Sequence, residues 1–347
     1  MANNRIFWAI QGFGLAKQST TSFTAVHGLQ SLGITTTFNL EEAFELGQLS
    51  IYENIENIPD VEVTVEKAID GYPLLYHLAT RGYAANTLTG RGNQQCNVVL
   101  NIYGDTQSAA SGTPINEVYM SGMYISSVSY TMPVDGFFTE SVTFVGSNKE
   151  WRQSNYLLTG TLFNGDDAPL NAASGYGGIQ RRQHFKWDVT SVSNPDGTLL
   201  PGGVGGIAGI SSSGTNDKTG NQLAVHATNV TIAADFGREP MNELGRKGPY
   251  YRFMNFPIEV TCDVEVYCLS GDNVSATEAG VNSDGTNLSN KTIYIKLSDG
   301  TAFDLGNKNK LASVDYGGAD AGGGNATCTY RFRNFNDLII THPQDPG

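Results

Sequence analysis

The stretch "ELGRKGPYYRFMNFPIEVTCDVEV", residues 243–266, ends in a run in which apolar and polar side chains alternate. A similar stretch, "ELGQLSIYENIENIPDVEVTVE", occupies residues 45–66. In both, a proline stands twelve positions after the glycine of the ELG tripeptide. Self-similarity of this kind is the sequence signature of a repeated structural unit, so the two stretches indicate a duplication.

Further segments recur in the same order on either side of this pair. The matches are "AVH" at 25–27 and 224–226, "VVLNIYGD" near 98–105 and "IYIKLSDG" at 293–300, "SVSY" at 127–130 and "SVDY" at 313–316, and "TESVTF" at 139–144 and "NATCTY" at 325–330. Their common order predicts a tandem duplication, with a first domain over residues 1–160 and a second over 161–347. The join is rich in Gly, Asn and Asp, and the second domain carries a Gly-rich inserted loop near 193–221.

Alternating polarity predicts that both domains are built of half-buried strands. In "DVEVTVE", for example, Val61, Val63 and Val65 share one face, whereas the polar residues between them share the other. We therefore expect a mainly β fold in which each domain is a β-sandwich or barrel with one short flanking helix. The helices are expected within "GYPLLYHLATRG", residues 71–82, and "SATEAGV", residues 275–281. One continuous large sheet is the alternative.

The charge of the chain bears on its partners. Its 347 residues include 34 acidic and 21 basic side chains, for a formal net charge of −13. Gripping nucleic acid by its phosphates takes clustered Lys and Arg, so an acidic protein is a poor candidate for it, although nucleic acid can pass without being retained. No run approaches the roughly 20 apolar residues of a membrane span, and we see no secretion signal. We expect a protein folded in the cytoplasm, with no membrane partner.

The residue patterns of known catalytic and metal sites are missing from the sequence. Four cysteines show no CxxC spacing and no companion histidines, which favours small buried hydrophobic residues over a zinc site. A loose GxGxxA at 203–208 follows Pro201 and lacks the strand and helix of a dinucleotide fingerprint. No GxSxG elbow is present, and the five histidines are dispersed. We expect no enzyme activity, no cofactor and no metal.

Two long segments resemble a known family. The segment "ISSVSYTMPVDGFFTESVTFVGSNKEW", residues 125–151, resembles a strand, turn and strand of bacteriophage tail tube proteins. The segment "FGREPMNELGRKGPYYRFMNFPIEVTCDVEV", residues 236–266, is similar to virion proteins of the same kind. The resemblance covers most of 25–150 and 225–340 and includes no catalytic signature. It implies two tandem tail-tube-like domains, and rings that stack into a tube through which the phage genome leaves.

The resemblance also implies partners. Six tube domains can come from three double-domain chains, which gives a trimer with pseudo-sixfold symmetry, or six whole chains can form a hexamer. Other tail proteins such as sheath, tape measure and baseplate are expected partners, and viral DNA is expected to cross the lumen without tight binding. The protein would be assembled in the host cytoplasm and reside in the virion.

Two other functions stay open. One is a hub or adaptor at the tail end, which forms a single tube-like ring instead of many. The other is a β-rich binding or adhesive protein of the virion, which is consistent with 16 Tyr, 16 Phe and 3 Trp.

Charged residues in the repeated stretches are the candidate contact sites. Opposite charge in corresponding regions of the two repeats would suit contacts between subunits or rings. The candidates for these contacts are Glu45, Glu53 and Glu56 in the first repeat and Arg238, Arg246, Lys247 and Arg252 in the second. A second acidic group is a candidate lining for the lumen and consists of Glu41, Glu42, Asp60 and Glu62.

Overall fold

A computed structural model describes residues 5–105, 113–159, 178–187, 200, 226–268, 271–272, 274, 290–319, 321 and 323–347. The predicted Gly-rich loop near 193–221 lies outside the described residues except for Leu200. The predicted domain boundary at 160/161 and the whole candidate helix at 275–281 also lie outside them. The boundary and the second helix therefore stay predictions.

Twenty strands and two short helices make up the described fold, which confirms the mainly β prediction. The elements of the first half of the chain are β1 (Gln11–Lys17), β2 (Thr24–Ala25), β3 (Leu29–Thr37), β4 (Leu40–Phe44), β5 (Ile51–Glu56), β6 (Asp60–Ala68), α1 (Leu75–Ala79), α2 (Leu88–Gly92), β7 (Cys96–Ile102), β8 (Asn116–Pro133), β9 (Thr139–Gly146) and β10 (Glu150–Arg152). Those of the second half are β11 (Phe185–Trp187), β12 (Ala227–Asp235), β13 (Glu239–Met241), β14 (Tyr251–Phe253), β15 (Glu259–Tyr267), β16 (Tyr294–Leu297), β17 (Ala302–Asp304), β18 (Lys310–Gly317), β19 (Thr327–Phe335) and β20 (Ile339–Thr341).

Eight strands form one continuous antiparallel row in the order β3-β6-β9-β8-β12-β15-β19-β18. The row belongs to a sheet of twelve strands, as the alternative of one large sheet predicted. The first four strands of the row come from the first half of the chain and the last four from the second half. The two halves meet where β8 pairs with β12.

The two halves of this row have matching pairing registers. A bulge follows the first pair between β3 and β6, at Leu29, and a bulge follows the first pair between β12 and β15, at Ala227. Likewise, the pairing of β8 with β9 shifts after Ile125, and that of β18 with β19 shifts after Leu311. Matching the bulges gives the correspondence between the halves. Strand β3 corresponds to β12 at an offset of 198 residues, and β8 corresponds to β18 at 186. Strand β9 corresponds to β19 at 188, and β6 corresponds to β15 at 199.

The remaining long strands form a second layer in each half. In the first half, β1 pairs with β7, β7 with the beginning of β8, and β8 with β10. In the second half the same order recurs as β11, β16, β17 and β20. The 18-residue β8 serves both layers, and Gly122 lies in its middle with a φ of 65°, a left-handed conformation that glycine adopts without a steric penalty.

The core lies between the eight-stranded row and these second layers. Alternate residues of the row, such as Val61, Val63 and Val65, are almost completely buried. They belong to one hydrophobic cluster with second-layer residues from both halves, including Leu100 and Ile295. Burying one face of each strand fixes its register, because a slip by one residue would turn every apolar side chain to the solvent.

The first predicted helix is present but shorter than its pattern indicated. Helix α1 occupies Leu75–Ala79, and Gly82 after it has a φ of 78°. The buried carboxylate of Glu140 accepts hydrogen bonds from the backbone N–H groups of Leu75 and Tyr76, at 2.6 and 3.0 Å. Glu140 therefore satisfies donors that the start of a helix leaves unpaired, and it ties α1 to β9. Burial raises the pKa of Glu140 above its ordinary value.

The C-terminal residues of the chain pack against the helices of the first half. Asp345 forms an ion pair with the buried guanidinium of Arg91, and the backbone N–H of Gly82 donates to the carbonyl of Gly347 at 3.0 Å. His77 on α1 is fully buried, and its Nε2 lies 3.1 Å from the carbonyl oxygen of Ile340 in β20. The clasp between the end of the chain and α1 is thus a long-range tertiary contact that joins the two halves.

The cysteines are buried, as expected, except for the half-buried Cys268, and two of the four are also paired. Cys96 and Cys262 are buried and free, as predicted. Cys268 and Cys328 form a disulfide between the end of β15 and β19. The pairing of Val266 with Cys328 places Cys328 beside this end of β15, a proximity that spacing along the chain does not reveal.

Within the described part of the chain, no helix combines the length and hydropathy that crossing a membrane requires.

The C-terminal clasp should weaken in mild acid. Burial lowers the pKa of His77 to about 4, a decrease that the Asp345 carboxylate opposes and Arg91 adds to. Burial, with the nearby His77, lowers the pKa of His342 to about 3. Below pH ~6.5 these two histidines bind protons in the unfolded state but stay neutral in the folded state. The free energy of unfolding should therefore fall as pH decreases from about 6.5 to 4.

The measurement is urea unfolding of the subunit as a function of pH. His77→Gln combined with His342→Gln should flatten this acid dependence, whereas replacing the solvent-exposed His226 by Gln should leave it as in the parent. An equally steep acid dependence in the double variant would contradict the assignment.

Candidate assembly surface

The face of the eight-stranded row that points away from the core is lined mainly by hydroxyl side chains. It alternates with the buried positions along every strand and is called the exposed face below. Its serines and threonines include Ser31, Thr35, Thr37, Thr64, Ser127, Ser129, Thr131, Thr139, Ser141, Thr143, Thr231, Thr261, Ser313, Thr327 and Thr329. A face with this many hydroxyl groups is a surface that stays hydrated, although it includes a few apolar side chains such as Phe335.

The charged groups on the exposed face are mostly acidic. The carboxylates are Glu62, Glu66, Asp235, Glu259, Asp263, Glu265 and Asp315, and the basic groups are Lys310, Arg331 and Arg333. Both arginines are held by carboxylates on neighbouring strands. Arg333 lies 2.7 Å from Glu259, and Arg331 lies 3.0 Å from Asp315. Burial raises the pKa of Asp263, an increase that Arg331 opposes.

The four residues predicted to line a lumen do not lie on one surface. Glu62 is on the exposed face, in the middle of β6. Asp60 is at the end of this face, where its carboxylate is 2.7 Å from the guanidinium of Arg252. Glu41 and Glu42 are exposed on β4, outside the eight-stranded row. As adjacent strand residues, these two project to opposite sides of β4. Of the four, only Glu62 lies within the exposed face without an ion partner among the described residues, and its role in a lumen stays a prediction.

Two hairpins extend from equivalent ends of the row. The first hairpin consists of β4 and β5, residues 40–56, and the second of β13 and β14, residues 239–253. Their turns contain Gly47 and Gly245 with φ angles of 96° and 86°, so the matched ELG tripeptides mark matched turns. All residues of the first hairpin except the half-buried Ala43 are exposed.

Two of the predicted basic contact residues are used inside the chain. The Arg252 guanidinium is almost fully buried and also donates to Ser147 Oγ at 2.8 Å. Arg238 Nε donates to the carbonyl of Ile125 at 2.7 Å, and its guanidinium lies 5.0 Å from the ring centroid of Tyr124. Burial lowers the pKa of Arg238 to about 10. These contacts join the second hairpin to the first half and leave neither arginine exposed for a partner.

The other predicted contact residues remain exposed on the hairpins. Arg246 and Lys247 lie in the turn of the second hairpin, where Arg246 is 3.5 Å from Glu243. Glu45 lies in the turn of the first hairpin and accepts a hydrogen bond from Gln48 at 2.8 Å. Glu53 and Glu56 are exposed on β5. Their proposed role in contacts between subunits or rings stays a prediction.

Both ends of the eight-stranded row are open. Among the described residues β3 pairs with β6 and β18 pairs with β19, and neither strand has a hydrogen-bonded neighbour on its outer side. Such edges present unpaired N–H and C=O groups that invite another strand. The sequence contained no signal that these two strands lie at the edges.

The described residues include no group of three or more His, Cys, Asp or Glu side chains placed to hold a metal ion.

No protein-family profile and no curated protein matches the sequence. Solved structures that resemble part of the chain include one from the cryo-EM structure of the anti-feeding prophage baseplate, with 8% identity and a TM-score of 0.33, covering 44% of this chain and 99% of that one. Another comes from the cryo-EM sheath-tube complex of an extracellular contractile injection system, PVC, in its extended state, with 8% identity and a TM-score of 0.32, covering 44% and 95%. Likenesses at these scores assign no function to the chain.

The inward role of Arg252 can be tested by comparison with Arg246. Arg252→Met removes the hydrogen bonds to Asp60 and Ser147, and we expect a loss of about 1–2 kcal/mol in the free energy of unfolding, because Asp60 is half exposed. Arg246→Met removes only an exposed pair and should change it by no more than about 0.5 kcal/mol.

Urea unfolding of the two variants measures the difference. Burial raises the pKa of Asp60, but hydrogen bonds from Arg252 and Asn39 outweigh burial and lower it overall. Stability from a carboxyl with a lowered pKa is present above its unfolded pKa of ~3.9 and is lost as pH falls further. The deficit of Arg252→Met should therefore shrink below about pH 4. Equal effects of the two variants at neutral pH would contradict the placement.

Proposed function

We propose that this chain is a structural, non-catalytic component of a phage-type tail, and that it forms the stacked rings of a tail tube. One observation carries the proposal. The two open edges of the row, β3 and β18, correspond in register to β12 and β8, which pair with each other inside the chain. A second copy could therefore repeat at its edge the pairing that the chain already makes at its middle.

The pairing of β8 with β12, called the internal seam below, gives the register of the proposed edge pairing between copies. Within the chain, Ser129 of β8 pairs with Ala233 of β12. The corresponding residues are Asp315 of β18 and Thr35 of β3, by the offsets of 186 and 198. Antiparallel pairing of β18 with β3 of the next copy would thus place Asp315 opposite Thr35.

Repetition of this step closes a ring. Three copies with eight strands each would repeat the four-strand unit six times, which is the proposed pseudo-sixfold ring, and a hexamer of whole chains is the alternative. Closure would pair every edge strand, which removes the template that open edges offer to aggregation. The exposed face would then line the ring.

The chemistry of the exposed face suits a passage for DNA. Hydroxyl groups keep the face hydrated, and its carboxylates outnumber its basic groups. Two of the three basic groups, Arg331 and Arg333, are neutralised by neighbouring carboxylates. A wall of this kind gives phosphates no clustered cations to bind, so DNA could move along it without being retained. In such a tail the partners of the ring would be sheath, tape measure and baseplate proteins, and its location would be the virion.

Cysteine pairs can test the edge pairing. In Thr35→Cys/Asp315→Cys, oxidation of assembled protein should link chains to one another and give a ladder on a non-reducing gel. The ladder should end at three chains for a trimer or at six for a hexamer. Ser129→Cys/Ala233→Cys is the matched control, because the same pair type lies within the chain and should close without linking chains.

A second control tests the register. Thr35→Cys/Lys310→Cys moves one thiol about four strand positions, or ~13 Å, away, which is beyond the reach of a disulfide. The proposed ring would be overturned if the disulfide of Ser129→Cys/Ala233→Cys forms within the chain but Thr35→Cys/Asp315→Cys gives no ladder.

Negative-stain microscopy then separates the alternatives. Long hollow tubes support a tube, single rings support a hub or adaptor, and dispersed monomers support the adhesive protein.

A further inference from the structure

The two hairpins are equivalent in sequence position but differ in their surroundings. The second hairpin packs over the end of the first half of the chain, where its arginines contact β8, β6, Ser147 after β9 and the end of α2. In contrast, every residue of the first hairpin except the half-buried Ala43 is exposed. Phe38, just before β4, is 68% exposed, whereas its counterpart Phe236 is completely buried. Leu40 is 60% exposed, whereas its counterpart is Arg238 with its hydrogen bond to β8.

The second hairpin docks by a defined set of contacts. The N–H of Phe236 donates to the carbonyl of Ser126 at 2.9 Å, which extends the pairing of β12 with β8. The ring of Tyr251 lies 5.4 Å from that of Tyr124, edge to face. Phe236 and Met254 pack so closely over Gly92 that an added Cβ there would lie within 2.7 Å of both side chains.

The surface that receives the second hairpin has a counterpart in the second half. By the register of β18, Tyr124 and Ile125 correspond to Lys310 and Leu311, and by that of β19 the position of Ser147 corresponds to Phe335. Lys310 is exposed and Phe335 is 49% exposed. An exposed apolar side chain, Phe335, is thus present on this surface, and no hairpin among the described residues of the subunit covers it.

The first hairpin carries side chains that complement this surface. Its Glu53 corresponds to Tyr251 by the offset of 198, and Tyr251 contacts Tyr124. The pair that corresponds to Tyr251 and Tyr124 is therefore Glu53 and Lys310, which have opposite charges. Arg238 contacts the backbone carbonyl of Ile125, so its counterpart Leu40 would lie beside the backbone of Leu311, whose side chain packs against the core cluster.

We propose that the first hairpin of one copy folds over the second half of the neighbouring copy, with Glu53 against Lys310 and with Phe38 and Leu40 beside Phe335. The contact rests on the edge pairing of the proposed function, because that pairing brings Lys310 of one copy next to the first hairpin of the other. The occupant of the apolar surface is a second copy of this chain. The N–H of Phe38 then donates to the carbonyl of Ala312 in the neighbouring copy, as Phe236 donates to Ser126 within the chain.

Charge reversal tests the contact between Glu53 and Lys310. Glu53→Lys and Lys310→Glu should each raise the subunit concentration for half-maximal assembly about tenfold, because each places like charges together. The double reversal should return it to within about threefold of the parent. Sedimentation velocity measures assembly, and thermal unfolding of the subunits should show no change because both side chains are exposed.

Glu150→Lys is the matched control, since it makes the same charge change on β10, in the second layer and outside both hairpins. Its carboxylate lies 3.1 Å from Arg152, two residues away. Single reversals that assemble like Glu150→Lys, or a double reversal no better than the worse single one, would overturn the proposal.

The Thr35→Cys/Asp315→Cys background separates this failure from a failure of the proposed function. If every charge-reversal variant still forms disulfides between chains, with the same yield of linked chains as the parent cysteine pair, the edge pairing stands and the proposed hairpin contact is wrong. If the parent cysteine pair does not link chains, the ring itself fails whatever the reversals show.

Discussion

The pairing of β8 with β12 is the constraint on which the rest of the structure depends. An antiparallel strand has two hydrogen-bonding edges, and a β domain must pair, cover or guard each of them. Seven residue pairs join these two strands, from Pro133 with Asn229 to Ser127 with Asp235, and they make one row from two repeated halves. Because the seam uses one edge of each half, it leaves the corresponding edges, on β3 and β18, at the ends. The open edges follow from the same repeat that makes the seam.

The repeat also determines what lies beneath the row. Strand β8 pairs with β7 and β10 in the second layer and with β9 and β12 in the row, so a single strand connects the layers, the halves and the core. In the second half two strands correspond to β8. Strand β17 pairs in the second layer, β18 pairs in the row, and a short connection joins them. The C-terminal clasp adds a further link between the halves, through Asp345 and Arg91 of α2.

The sequence predicted the mainly β fold because the alternation of polar and apolar residues is a local pattern. The match of "SVSY" with "SVDY" has the offset of 186 that the register confirms. The match of "TESVTF" with "NATCTY" was wrong by two residues: Lys67 pairs with Glu140 and its counterpart Val266 pairs with Cys328, which gives 188. A slip of two keeps every side chain on its face, so alternation cannot detect it. The burial of Arg238 and Arg252 was missed because their partners, such as Ile125 and Asp60, lie more than 100 positions away.

The internal seam and the proposed seam between copies differ in chemistry because the first joins parts of one chain and the second joins separate chains. The internal seam joins segments of one chain, whose covalent link already selects the partner, so Tyr251 on Tyr124 and Arg238 on Ile125 need only to pack. The proposed outer seam joins separate copies, so its residues must also reject a wrong register. Opposite charges at Glu53 and Lys310 serve this purpose, since complementary charge contributes more to specificity and association rate than to affinity. Charges on β18 itself, at Lys310 and Asp315, also discourage the edge from pairing with unrelated strands before a ring closes.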